Sequence, residues 1–212
     1  MVNEDLLKLV TQRVMEKIQA YQSLKIPVGV SNRHFHVSQE DLEILFGTNY
    51  ELTKKSDLKQ PGQYACNETV TIRGPKGEFN RVRILGPVRK QSQVEISKTD
   101  SFRLGIRPPI RESGCLSGTP GLEVVGPKGT VVLQEGAIIA LRHIHMTPSQ
   151  AQAMGVKDKD IVEVETFGER HGIFGDVLVR VSDQFSLEMH VDVDEANACA
   201  LSNNDYVMIR RQ

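Results

Sequence analysis

The spacing of apolar positions changes once along this chain. From Asn3 to Tyr21, Leu6, Leu7, Val10, Val14, Met15 and Ile18 recur three and four apart, the stripe of an amphipathic helix. Lys8, Arg13, Glu16 and Lys17 fill the other faces, and Lys25-Ile26-Pro27 ends the segment. Two readings stay open: a helix packed on its own domain, or a detachable address helix that lies in a partner's groove. Beyond Pro27 the pattern becomes short β-rich stretches, among them Thr69–Ile72, Arg81–Leu85, Val131–Leu133 and Val177–Val181. Turn signals punctuate them at Gly74-Pro75-Lys76-Gly77, Gly86-Pro87 and Gly126-Pro127-Lys128-Gly129. Many short strands with frequent turns predict barrels or sandwiches, with few and brief helices.

A repeat runs through this pattern. Arg33-His34-Phe35-His36-Val37-Ser38 matches Arg142-His143-Ile144-His145-Met146-Thr147. Each follows a β-prone stretch, Ile26–Val30 or Ala137–Leu141, and each leads into a helix start. Ser38 is a good N-cap before Glu40 and Asp41, and Thr147-Pro148-Ser149-Gln150 is a capping box with proline at the first helical position. Both helices end near a glycine, Gly47 or Gly155. Two further strands continue the duplication. Alternation in Leu187–Asp194 sets His190 opposite Leu187, Met189, Val191 and Val193, and Glu95 stands likewise opposite Val94 and Ile96. The fold class predicted is mainly β: two similar barrels from an internal duplication, with short capping helices and an N-terminal amphipathic helix.

Composition narrows the function classes. Lys+Arg 26 against Asp+Glu 27 leaves a net charge of -1, which offers no nucleic-acid surface. No apolar run approaches the ~20 residues that span a bilayer, and no secretory signal is evident. Cys66, Cys115 and Cys199 are odd in number and far apart, which argues against a disulfide framework or a four-cysteine zinc site. The expectation is a soluble, intracellular protein.

The repeated motif points to metal chemistry. Residues two apart on a strand face the same way, so each HxH presents both imidazoles to one side. Zinc accepts neutral imidazole and carboxylate, and a catalytic site keeps one position open. Five of the six histidines join this pattern; His171 lies apart in a turn. Anion-binding candidates are Arg89 and Lys90 after Gly86-Pro87, and Arg107 and Arg111 around a Pro-Pro pair, since guanidinium matches phosphate geometry. Cys115 lacks an evident base and is expected to pack rather than act as a nucleophile.

Five runs carry a family resemblance: Ile26–Ser38, Leu85–Arg89, Gln93–Ser97, Gly126–Gly129 and Arg142–Met146. Together, and in this order, they resemble the phosphate propanoyltransferases, the PduL-type phosphotransacylases. The resemblance implies an N-terminal segment 1–21 serving as an encapsulation peptide. It implies one barrel from 23–32 plus 141–212, and a second from 33–140 with a short insertion around 47–67. It further implies two zinc ions per chain, one on His34, His36 and Glu95, the other on His143, His145 and His190. Arg89 would hold phosphate as the catalytic arginine, with Ser113 beside it.

The activity implied is exchange of an acyl group between coenzyme A and phosphate, with propanoyl-CoA or acetyl-CoA, acyl phosphate, CoA and phosphate as small-molecule partners. A homodimer, and a place in the cytoplasm or inside a bacterial microcompartment reached through shell or cargo contacts, belong to the same expectation. Two other readings of the residues remain: a zinc hydrolase of thioesters or phosphate esters, and a non-catalytic zinc-stabilised module. Three protein ligands per site favour catalysis, because structural zinc is normally closed by four.

Overall fold

The computed structural model describes residues 4–210. In chain order the elements are α1 (Glu4–Gln22), β1 (Ile26–Ser31), β2 (His34–His36), α2 (Gln39–Phe46), β3 (Lys54–Asp57), β4 (Tyr64–Arg73), β5 (Glu78–Gly86) and β6 (Gln93–Glu95). There follow α3 (Lys98–Leu104), β7 (Ile110–Arg111), β8 (Leu122–Val125), β9 (Thr130–Leu133), β10 (Ala137–Ala140), β11 (His143–Met146) and α4 (Pro148–Met154). The last are β12 (Ile161–Thr166), β13 (Ile173–Val181), β14 (Glu188–Asp192), α5 (Val193–Ala198) and β15 (Tyr206–Ile209). The chain is mainly β, as its alternation predicts.

Two bodies share one plan. In the first, β1, β14, β11, β13, β12 and β15 close into a barrel. Its pairings run parallel for β1 on β14, antiparallel for β14 on β11, parallel for β11 on β13, and antiparallel for β13 on β12. In the second, β10, β6, β2, β5 and β4 repeat those four relations in that order. The seam that closes the barrel sets β15 against β1 at Val207 and Tyr206. Its counterpart in the second body is a single bond, the Ala137 amide to the Pro120 carbonyl at 3.0 Å. There β8 already has β4 on one edge and β9 on the other, so it has no free edge to offer β10. The two barrels are thus one closed barrel and one half-barrel.

The chain crosses between the bodies at two short links, Asn32–Arg33 and Leu141–Arg142. Each body takes its opening strand, β1 or β10, from the other half of the sequence. Each link runs straight into an HxH strand, so the crossings bring both motifs to the junction. Separate cores lie on either side. Phe35, Leu45, Ile72, Ile84 and Leu104 are fully buried in one; Ile26, Ile144, Met146, Val177 and Met189 in the other. Each such side chain contributes about 1.5–3 kcal/mol.

The N-terminal helix takes no part in either core. Leu7 is 57% exposed and Ile18 48%, and Leu6, Val10 and Val14 are similar, so the apolar stripe of α1 is uncovered. Among the described residues no helix is long and apolar enough to cross a membrane. Deleting residues 1–22 is expected to move the thermal midpoint by less than about 2 °C, as for surface changes that touch no core. Scanning calorimetry checks this, and a fall of about 5 °C or more would show that the stripe packs on the chain.

Candidate metal centre

Both ligand clusters are built by strand register. Glu95 on β6 stands directly opposite His34 on β2, and two-residue periodicity puts His36 on the same face. Glu95 Oε2 lies 3.4 Å from His34 Nε2, Glu95 Oε1 lies 3.6 Å from His36 Nε2, and the two Nε2 atoms are 3.2 Å apart. On the barrel side, His190 on β14 stands opposite His143 on β11, and His145 follows two residues on. The His143 and His190 rings stack at 5.0 Å, with His145 4.7 Å from His143. In each cluster the donor atoms lie within 4.8 Å of one another.

The surroundings repeat as well. The Nδ1 of His34 faces the Asn32 carbonyl and that of His143 the Leu141 carbonyl, both at 2.8 Å. Each ring therefore donates from Nδ1 and keeps the Nε2 lone pair for a cation. Arg33 makes a fork onto Asp100, in the capping box of α3, and covers the Phe79 ring. Arg142 reaches Glu195, in the capping box of α5, with Nη1 alone, gives its Nε to the Gly175 carbonyl, and lies over the Phe174 ring. These arginines pin each HxH strand to the helix that follows its third ligand.

The clusters fit a metal ion. Both ring nitrogens of His145 and the Nε2 of His190 are buried without a hydrogen-bond partner. Glu188 Oε2 lies 3.0 Å from that Nε2 without making a hydrogen bond to it. Each orphaned nitrogen costs about 1–3 kcal/mol, which coordination would relieve. Burial, aided by neighbouring positive groups, pulls His36 and His143 down to about 4 and His145 to about 2, so these imidazoles are neutral at pH 7 and able to accept a cation. Burial alone would raise Glu95, but His34, His36 and the Ser113 hydroxyl hold it below the usual carboxylate range and keep it charged.

Both clusters line one cavity of about 410 Å³ between the bodies, together with Arg89 and Ser113. Ser113 Oγ accepts from Arg89 Nη1 and Gln93 Nε2, each at 2.8 Å, and donates to Glu95 Oε1 at 2.9 Å. Arg89 has no carboxylate partner among the described residues, and burial is the main force holding its pKa below the usual arginine value. Lys90, Arg107 and Arg111 are not among the cavity-lining residues.

Cys115, expected to pack, is exposed instead, because the chain turns there with the Cys115 amide on the Glu112 carbonyl. His171 pairs with Glu165 away from both clusters. Sequence reasoning missed a latch over the cavity. Gln60 bonds the Ser186 carbonyl and Glu188, and Lys59 lies 3.9 Å from Glu188. Gly29 leaves the space that Glu188 fills, since a Cβ there would meet Oε1 at 2.7 Å. Arg180 also lines the cavity, and its signal was its place opposite the valines of β13.

This architecture has relatives. The sequence profile described as phosphate propanoyltransferase matches residues 27–202. A phosphate propanoyltransferase of Thermotoga maritima is 58% identical over 95% of this chain and 99% of its own length. Proteins of that name from Rhodopseudomonas palustris and Lachnoclostridium phytofermentans are each 52% identical, over 87% and 98% of this chain and 82% and 100% of their own lengths. A match that spans both halves of the duplication, with every proposed ligand inside the profile, has one reading: the chain belongs to the phosphate propanoyltransferase family.

Proposed function

We propose that the protein interconverts acyl-CoA plus phosphate with acyl phosphate plus CoA, taking propanoyl or acetyl groups. The observation that carries this reading is the convergence of two three-residue ligand clusters and an unpaired Arg89 on one cavity. Imidazole and carboxylate donors suit zinc, one ion on His34, His36 and Glu95 and one on His143, His145 and His190. Bound zinc would supply Lewis acidity toward phosphate, the thioester carbonyl and the leaving sulfur.

The chain's own groups arrange the reactants. The Arg89 guanidinium takes phosphate oxygens in its planar fork, and the Ser113 hydroxyl fixes that fork's direction. Phosphate so held offers an oxygen to the thioester carbon; the C–O bond forms, the C–S bond breaks, and CoA leaves as the thiolate. Position alone supplies much of the acceleration. Transfer is direct. None of the three cysteines is among the cavity-lining residues, and burial pushes the Cys66 thiol up to about 11. The uncovered stripe of α1 suits an address helix that carries the protein into a microcompartment.

The test is acyl-CoA formation from propanoyl or acetyl phosphate and CoA, with and without a chelator. Chelator-sensitive formation is expected, together with phosphate-dependent release of CoA from acyl-CoA. CoA release that ignores phosphate would replace the transferase by a hydrolase.

A further inference from the structure

Strand β13 sends its residues to two destinations. Val177 and Val179 enter the barrel core, whereas Leu178 and Arg180 lie on the other face, in register with His143 and His145. Arg180 is half-buried and lines the cavity, yet its guanidinium makes no hydrogen bond or ion pair among the described residues. Its guanidinium sits over the Phe185 ring, 5.6 Å from the centroid. Phe185 also stacks on His145 at 4.3 Å, so one ring fixes both the ligand and the arginine.

The cavity carboxylates are engaged elsewhere. Glu95 serves His34, His36, Gln93 and Ser113; Glu188 accepts from Gln60 and lies 3.0 Å from His190; Asp192 caps α5. Arg180 therefore confronts Arg89, which enters the same cavity from the other body and also lacks a carboxylate partner among the described residues. Burial chiefly lowers Arg89, and the charge of Arg180 adds to that against Glu95. Two guanidiniums without carboxylates of their own, brought to one partly desolvated space, are unfavourable until an anion joins them.

We infer that Arg180 is a second substrate-binding guanidinium, which holds the phosphoryl group of acyl phosphate or phosphate against Arg89 from the opposite body. The inference rests on the transferase reading given above. Each body then supplies one ligand cluster and one arginine, and closure of the cavity on the phosphoryl dianion requires both. Coenzyme A also carries phosphates, and the test separates the two sources.

The experiment is steady-state kinetics of Arg180→Gln and Arg180→Lys with propanoyl phosphate and CoA, plus calorimetric binding of inorganic phosphate to the metal-loaded protein. For Arg180→Gln, KM for propanoyl phosphate and Kd for phosphate are expected to rise about 10- to 100-fold, the size of a lost charge-assisted hydrogen bond. KM for CoA and the metal content should match the parent, and lysine should recover part of the loss. A rise confined to KM for CoA would assign Arg180 to the nucleotide phosphates and overturn the inference. Loss of metal with unchanged phosphate affinity would make Arg180 a support for His145 and overturn it equally. Phosphate binding is read without turnover. A parent that binds phosphate but forms no acyl-CoA, with binding weakened in the variant, would sink the transferase reading and leave this one standing.

Discussion

Glu95→Gln is expected to lower turnover about a thousandfold while the fold persists. The substitution keeps shape and removes one negative charge from a place where five groups, His34, His36, Gln93, Ser113 and Arg89, depend on it. Glu95 is the only carboxylate of its cluster, it accepts from the Ser113 hydroxyl, and its charge acts on Arg89. A glutamine there coordinates a cation poorly and turns an amide toward histidine nitrogens that are already 3.2 Å apart. Lewis-acid assistance of several kcal/mol, at about 1.4 kcal/mol per tenfold in rate, gives a loss of that size. The check is kcat beside elemental analysis and thermal melting. One metal equivalent should go with the activity while the midpoint changes little, because the apolar core of that body lies on the other face of β6. A variant that keeps both its metal and its rate would remove this cluster from the chemistry.

How much of this was legible depended on the range of the interaction. The HxH strands, the Ser38 and Thr147 caps and the faces of Glu95 and His190 follow from periods and spacings within a few residues, and the structure has them all. Val193 stood at the limit of such reading. Alternation placed it on the strand, but Asp192 caps a helix that begins with it. Features of longer range were not legible. Closure of one body and not the other turns on which strand reaches the edge of β8, and no local pattern encodes that. The Gln60–Glu188 latch joins residues 128 apart in sequence. Cys115 is expected to pack only because no base is evident beside it in sequence, whereas the turn that exposes it depends on Glu112 and its neighbours.

The duplication itself explains why the site needs both halves. Each body holds three candidate ligands and takes its opening strand, β1 or β10, from the other half of the sequence, so neither half encodes a complete body. Arg33 with Asp100, and Arg142 with Glu195, tie these crossings to their helices in matching ways. At the third position of each cluster the copies differ, with Glu95 in one and His190 in the other. That difference places a carboxylate on the same side as Arg89 and leaves the other cluster without one.

Arg89→Ala should remove most turnover and yet leave the protein at least as stable as the parent. The half-buried guanidinium bonds the Ser113 hydroxyl and faces the charge of Arg180. Its desolvation is therefore uncompensated by any carboxylate of its own, and deletion relieves it. In the reaction the same fork makes charge-assisted bonds to phosphate oxygens, each about 1.5–3 kcal/mol. Loss of two gives a fall in kcat/KM for phosphate of about 10²- to 10⁴-fold. Arg89→Lys keeps the charge without the planar fork, so its rate should lie between the two. Kinetics and calorimetry on the three proteins decide the matter. A destabilised Arg89→Ala whose residual folded fraction works at the parent rate would make the arginine a structural post. A stable protein with little turnover would show that the fold carries this charge for its substrate.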